Sequence, residues 1–198
     1  RDIARNQALI VELEPSHPSH SRYFRFPYLE RGNAHNEREL RRYLARHGYQ
    51  IADVSLDFED WAFSAAYGRC SALGDRVALQ ALDESYLAYA LGELSWSRES
   101  LLRIAGRKVP LVLLLHANFM TAQLLDRLLT TFERAGVRFV PLREALADGI
   151  YAQAQTARHG DATLIEALVR ERHLHMQSRV VLPLPLLDAL CRAPLTAP

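Results

Sequence analysis

Three short polar clusters carry the side chains that could do chemistry. They are Arg25-Phe26-Pro27-Tyr28, the acidic run Asp57 to Trp61, and Leu114-Leu115-His116. Each cluster lies in or just after a segment that the sequence predicts as a strand. Working residues of parallel α/β proteins gather at the C-terminal ends of strands, so we expect the three clusters to converge on one site.

Each cluster alone also has an ordinary structural explanation. A single arginine in a strand often forms a surface ion pair. Aspartates after a strand often cap a turn or a helix, and a histidine that closes a strand is often a buried, hydrogen-bonded imidazole. These explanations are favoured for any one cluster, whereas the occurrence of all three at consecutive strand ends favours a site.

The hydrophobic pattern that must position these clusters alternates between helices and strands. Apolar runs predict strands at Tyr23–Tyr28, Tyr49–Leu56, Val109–Leu115 and Val137–Pro141. Helical spacing predicts helices over Asp2–Glu14, Asp75–Ala105 and Thr121–Ala135, the second with a break near Gly92. A further helix is predicted to begin at an Asn36 cap, with Glu39 as the capping-box partner. This order predicts an α/β protein with a largely parallel sheet, and four strands are too few to close a barrel.

The chain after Gly149 shows no motif. It contains two predicted helices, Ala162–Arg172 and Leu186–Cys191. We therefore divide the sequence into residues 1–148, which hold the three clusters, and a C-terminal extension, residues 149–198, which we expect to pack against them.

Composition excludes some classes of partner. Charged residues make up 24% of the 198 residues and the formal net charge is +1, so no basic stripe for nucleic acid is expected. No apolar run reaches the roughly 18 residues that a membrane span needs. The sequence starts at Arg1 rather than methionine, so we expect the natural N-terminus to lie upstream, and localisation cannot be read directly.

The two cysteines, Cys70 and Cys191, are either separate buried thiols or a long-range disulfide.

The three clusters resemble signature motifs of the NodB-type polysaccharide deacetylases, carbohydrate esterase family 4. The first is similar to that family's third motif, Arg-x-Pro-Tyr, and the second to its fourth, Asp-x-x-Asp-Trp. The third is similar to its fifth, Leu-x-His. The motifs occur in family order, and the resemblance covers nearly the whole chain. It implies an incomplete (β/α) barrel, with residues 1–148 as the C-terminal two-thirds of the domain.

The resemblance also implies a chemistry, in which a divalent metal, often zinc, polarises an acetyl carbonyl and activates water. His116 would be the general acid that protonates the departing sugar amine. Asp60 would hydrogen-bond the imidazole and favour its protonated form. Arg25 would tether the carboxylate of the catalytic base.

Three further residues would contact substrate by the same resemblance. The backbone N–H of Tyr28 would help to hold the oxyanion. Trp61 and Leu114 would form the walls of the pocket for the acetyl methyl group, and Trp61 could also pack on a sugar ring.

The sequence departs from the family in its metal site. The family's first motif, a paired aspartate, and its second, His-x-x-x-His, supply the base and the metal ligands, and this sequence contains neither. His17 and His20 lie in a proline-containing loop and are poor substitutes. A divalent metal is therefore expected for the complete family domain, but no metal ligand is assigned in this chain.

The resemblance and the two missing motifs leave three functions open. The chain could belong to a metal-dependent deacetylase that acts on N-acetylglucosamine polymers or other acetylated glycans. It could be a carbohydrate-binding module without the metal site, or a truncated, catalytically silent fragment. The family's members are typically exported, which makes a Cys70–Cys191 bridge a reasonable hypothesis.

Overall fold

Helices dominate the computed structural model, which describes residues 2–13, 22–154 and 162–192. Of these residues, 64% are helical and only 3% belong to strands, which form a two-stranded parallel sheet. The predicted fold class, an incomplete (β/α) barrel with a largely parallel sheet, is therefore wrong. Of the apolar runs that suggested strands, residues 51–56 are buried, whereas 109–115 are mostly half-buried and 137–141 are half-buried or exposed. An apolar run can be covered by helices without forming a ladder of backbone hydrogen bonds.

The helices are numbered in chain order. They are α1 (Asp2–Leu13), α2 (Ala34–Arg46), α3 (Ser64–Leu73), α4 (Arg76–Ala105), α5 (Phe119–Arg134), α6 (Leu142–Leu146), α7 (Gly149–Ala154), α8 (Leu164–Glu171) and α9 (Leu184–Ala189). Helix α2 begins one turn earlier than predicted. Asn33, not Asn36, is its N-cap, and the Asn33 side chain accepts hydrogen bonds from the backbone N–H groups of His35 and Asn36.

The sheet consists of β1 (Tyr23–Phe24) and β2 (Gln50–Ile51). The chain after β2 forms one further parallel bridge, between Leu56 and Leu113. The predicted strand over residues 109–115 thus contributes one bridged residue, Leu113. The predicted strand over 137–141 is not a strand in the structure. The parallel direction is as predicted, but the pairing is too short to make a sheet the organising layer.

The hydrophobic core has three parts. The largest lies between α3, α4 and α5, where Phe58, Phe63 and Tyr86 are fully buried and their rings meet edge to face. The second packs α6, α7 and α8 against the C-terminal half of α4. The third is small and joins Phe26, Leu44 and Ile51 beneath α2.

A disulfide between Cys70 and Cys191 joins α3 to the end of α9, with the Cα atoms 5.2 Å apart. The neighbouring Arg69 donates hydrogen bonds to the carbonyls of Leu187, Asp188 and Leu190, which lack intrahelical partners at the C-terminal end of α9. The bridge spans 121 residues. A loop of this length corresponds to about 4–5 kcal/mol in the chain-entropy account.

No helix within the described ranges combines the length and apolarity that a bilayer crossing requires.

Helix α4 runs for 30 residues without a break, so the possible break near Gly92 is not present. Gly92 serves another purpose, because it lets residue Val180 of the C-terminal segment approach the helix. A Cβ atom added at Gly92 would lie 2.8 Å from a methyl carbon of Val180.

We expect Gly92→Ala to lower the free energy of unfolding by about 1–3 kcal/mol, as overpacking does, despite the better helix propensity of alanine. Gly68→Ala in α3 is the matched control. Its added Cβ meets nothing within 4 Å, so it should stabilise by about 0.5–1 kcal/mol. Urea unfolding of both variants measures the two changes. If both variants were more stable than the wild type, the side chain of Val180 would be able to move aside without lowering the free energy of unfolding.

Candidate functional site

The centre of the site is the carboxylate of Asp60, which is fully buried. Its Oδ1 lies 2.7 Å from Nδ1 of His116. Its Oδ2 accepts two hydrogen bonds, from the backbone N–H of His116 at 2.9 Å and from the hydroxyl of Thr121 at 2.8 Å. A buried carboxylate requires such partners, because leaving a charge unpaired away from water is costly.

The Asp60 carboxylate fixes how the His116 imidazole is used. A carboxylate acceptor at Nδ1 places a proton on that nitrogen and leaves Nε2 for other chemistry. The His116 side chain is 45% exposed, so its outer edge reaches solvent. The pair therefore has the arrangement of an oriented acid–base imidazole.

Local backbone geometry brings the two residues together. Asp57 accepts a hydrogen bond from the N–H of Glu59, and Glu59 adopts a left-handed conformation (φ 54°) that turns the chain into the 3₁₀ turn Asp60–Phe63. On the other side, the side chain of Asn118 caps α5 by accepting from the N–H of Thr121. This cap holds Thr121 in the first turn of α5, beside Asp60.

His116 opens onto a groove of about 840 Å³. The residues that form its walls are Arg25, Phe26, Pro27, Tyr28, Leu29, Asp57, Trp61, Leu114 and His116. Five of the six residues that the sequence placed in a site thus share one groove, and the sixth, Asp60, holds His116 from behind. The structure brings all three clusters together, while the roles assigned to them remain predictions.

Two aromatic side chains stand at the edge of the groove. Tyr28 is 93% exposed and Trp61 is 52% exposed. Tyr28 and the adjacent Leu29 both have positive φ angles, 55° and 59°, which cost roughly 1–2 kcal/mol each for residues other than glycine. Strain of this kind persists where the surroundings hold the backbone in place, and it often marks functional segments.

Arg25 contributes to the wall of the groove. Its Nε donates to the carbonyl of Ala52 at 3.3 Å, and it forms no ion pair with a carboxylate of the described residues. Burial lowers the pKa of Arg25, and the nearby charges of Asp57 and Asp53 oppose that effect. The family role of Arg25, tethering a base carboxylate, therefore has no partner within residues 2–13, 22–154 and 162–192.

Asp57 is a groove residue to which the sequence analysis gave no role. Burial raises the pKa of its carboxyl group, although the hydrogen bond from Glu59 and the charge of Arg179 act in the opposite direction. The signal was present in the sequence, since Asp57 is the first residue of the acidic cluster. What the sequence could not show is that this side chain faces the same groove as His116.

Sequence reasoning missed Arg179 entirely. Its guanidinium pairs with Glu93 at 2.9 Å and with Glu166 at 2.6 Å, and it donates to the backbone carbonyl of Asp57 at 2.9 Å. It also lies over the ring of Trp96, 4.7 Å from the centroid. A single arginine in a tail without a motif gives no signal that it supports a site about 120 residues away.

The groove does not fit a divalent metal with the residues described. The side chains of the groove that could approach a cation are the imidazole of His116 and the carboxylate of Asp57, and the cationic Arg25 lies beside them. No group of three potential ligands exists in the described part of the chain. His17 and His20, considered above as poor substitutes, lie outside the described residues.

Comparison with known proteins adds no assignment. No family model matches the chain, and neither a curated protein nor a solved structure is significantly similar to it.

Asp60→Asn tests the buried carboxylate. The amide keeps the shape of the side chain but turns one acceptor into a donor facing groups that already donate, so we expect a loss of about 1–3 kcal/mol in the free energy of unfolding. The exposed Asp126→Asn is the control and should change it by less than about 0.5 kcal/mol. Equal effects in chemical denaturation would mean that the Asp60 contacts do not stabilise the fold.

Glu59→Gln tests the electrostatics beside the site. Burial, followed by the charge of Asp57, raises the pKa of Glu59 above its ordinary value of 4.5. The folded protein therefore holds the Glu59 proton more tightly than the unfolded chain. This destabilises the fold progressively as pH rises through 4.5 toward the raised pKa. The variant should lose less stability than the wild type over this interval in unfolding curves measured at several pH values.

Asp148→Asn is the contrast of opposite sign. The hydrogen bond from Arg107 holds the pKa of Asp148 below its ordinary value of 3.8. The stability that this carboxylate contributes is present above pH 3.8 and is lost as pH falls through the lowered pKa. This variant should therefore be less stable than the wild type above pH 3.8. Parallel pH profiles for both variants would contradict the two assignments.

Proposed function

We propose that the groove belongs to a polysaccharide deacetylase-like hydrolase that removes acetyl groups from N-acetylglucosamine-type or other acetylated glycans. The observation that carries the proposal is the imidazole of His116, which is oriented by the buried Asp60 and opens onto a groove edged by Tyr28 and Trp61. The resemblance of the three clusters to the deacetylase motifs supports the same function.

His116 would act when the acetyl group leaves the sugar. As the bond between the acetyl carbon and the sugar nitrogen breaks, its electron pair returns to nitrogen, and Nε2–H of the imidazolium donates the proton that completes the amine. Asp60 keeps the other ring nitrogen protonated and the ring aligned. General acid catalysis of this kind contributes roughly 10²–10⁴ in rate.

The groove also has the surfaces that a sugar requires. Sugar rings present apolar C–H faces, which pack on aromatic rings, and both Trp61 and Tyr28 expose such rings. Leu114 adds an apolar contact close to His116, where an acetyl methyl group would lie. The walls therefore offer an acetylated sugar both aromatic surfaces for its ring and an apolar contact for its methyl group.

The family's reaction draws on a divalent metal that binds the attacking water. Because the described donors do not fit such an ion, we assign no step to it, and the proposal here concerns what His116, Asp60 and the walls of the groove do.

A second candidate is a carbohydrate-binding module. The observation in its favour is the exposure of Tyr28 and Trp61 at the groove edge, since exposed aromatic rings bind sugars without any catalytic group. This candidate predicts glycan binding that does not depend on His116.

The test measures binding and acetate release in the same samples. The purified chain is titrated with an N-acetylglucosamine oligomer by calorimetry, and acetate is assayed with and without added zinc. Trp61→Ala should weaken binding roughly 10-fold, as truncation of an aromatic contact does. Phe119→Ala, an exposed aromatic outside the groove, is its control and should leave binding unchanged.

His116→Ala separates the two candidates, with the exposed His35→Ala as its control. The hydrolase expects acetate release that falls at least about 100-fold in His116→Ala and is unchanged in His35→Ala. Binding without release favours the module. If the oligomer neither binds nor loses acetate, both candidates are wrong.

A further inference from the structure

We propose that Asp57 is the general base of the groove, the carboxylate that takes a proton from water while His116 supplies one to the leaving group. The inference rests on the proposed function only in treating the groove as a hydrolytic site. The family's first motif, which this sequence lacks, supplies the general base, and the inference gives that role to Asp57.

The first support is position. Asp57 and His116 both contribute to the walls of the 840 Å³ groove, and Arg25 lies in the same wall. The Asp57 carboxylate and the His116 ring are close enough to interact electrostatically. A carboxylate and an imidazole that face one cavity are the pair of groups that acid–base hydrolysis needs.

The second support is a fixed orientation with one oxygen uncommitted. Oδ1 of Asp57 accepts the N–H of Glu59 at 2.8 Å, which holds the side chain in place. Arg179 holds the backbone from behind through the Asp57 carbonyl. Among the described residues no donor is bonded to Oδ2, and the half-buried Asp57 contributes to the groove wall. It can therefore accept a proton from water in the groove.

The third support is the environment of the carboxylate. Burial raises the pKa of Asp57, which makes it a stronger proton acceptor than an aspartate in water. The hydrogen bond from Glu59 and the charge of Arg179 act in the opposite direction and favour the ionised carboxylate. A general base must be ionised to accept a proton, and it accepts the proton more readily when its pKa is raised.

The other carboxylates near the groove are bonded to partners or, like Glu59, do not contribute to its wall. All oxygens of Asp60 accept hydrogen bonds from His116 or Thr121. Asp53 pairs with Arg31, and Glu93 pairs with Arg179, and neither contributes to the groove wall. Asp57 is thus the carboxylate of the described residues that reaches the groove with an open oxygen.

The step balances without a further reagent. Water attacks the acetyl carbon as Asp57 takes one of its protons, and the carbonyl π pair moves to oxygen. The oxygen pair re-forms the carbonyl, the bond to the leaving atom breaks, and the electron pair of that bond takes the proton from Nε2 of His116. The acetic acid product loses its proton to solvent as acetate, the free amine or alcohol leaves, and the proton on Asp57 returns to His116 through solvent.

The test uses p-nitrophenyl acetate, an activated acetyl ester, so that it does not depend on glycan binding. Asp57→Asn keeps an acceptor for the Glu59 N–H and should hydrolyse the ester at least about 100-fold more slowly than the wild type. Glu30→Gln, an exposed carboxylate next to the groove segment, is the control and should keep the wild-type rate. Circular dichroism and urea unfolding check that both variants fold.

Chemical rescue separates a base from a structural residue. Asp57→Ala opens space for a small anion, so added formate should restore at least about 10-fold of the lost rate in this variant and have no effect on Asp57→Asn. A wild-type rate in Asp57→Asn overturns the proposal. So does a loss of rate in folded Asp57→Ala that formate does not restore.

The two proposals fail separately. Ester hydrolysis that depends on Asp57, without acetate release from the N-acetylglucosamine oligomer, would retain Asp57 as the base and reject the glycan substrate. Absence of ester hydrolysis by the wild type would overturn the role of Asp57, whatever the glycan assays give.

Discussion

The structure depends on the burial of one charge, the carboxylate of Asp60. Its three hydrogen bonds come from His116 and Thr121, so the turn that carries Asp60, the segment that ends at His116 and the first turn of α5 are held at one point. Electrostatic interactions are strong there because water is excluded. The same contacts that make this burial tolerable orient the imidazole, so stability and function are not separable at this position.

Arg179 is a second side chain, after Asp60, that ties separate segments together near the groove. Burial raises the pKa of Glu93, and the guanidinium of Arg179 compensates that burial while it also reaches Glu166 and the carbonyl of Asp57. The segment that carries Arg179 can lie against α4 because Gly92 has no side chain. The C-terminal part of the chain is therefore a support of the groove, and the Cys70–Cys191 bridge holds the helix that follows it.

The sequence predicts the helices better than the strands, for a physical reason. Helical hydrogen bonds are local, so amphipathic spacing and caps place α4 and α5 within a few residues of their true ends. A strand exists only if a distant segment supplies partners, and the apolar run at 109–115 finds one bridge at Leu113. Gly92 and Arg179 belong to the same category, since their roles depend on contacts across 88 and 86 residues, respectively.

The convergence of the three clusters did not require the sheet from which it was predicted. Convergence needs only that the segments before Tyr28, Asp57 and His116 run parallel and end at the same level. A two-residue pairing and one bridge are sufficient for that. Side-chain hydrogen bonds then fix what a longer ladder would otherwise have fixed, with Asp60 tying its turn to His116 and Arg179 holding Asp57. The groove is consequently more dependent on single side chains than a site on a regular sheet, because each contact has few others to replace it.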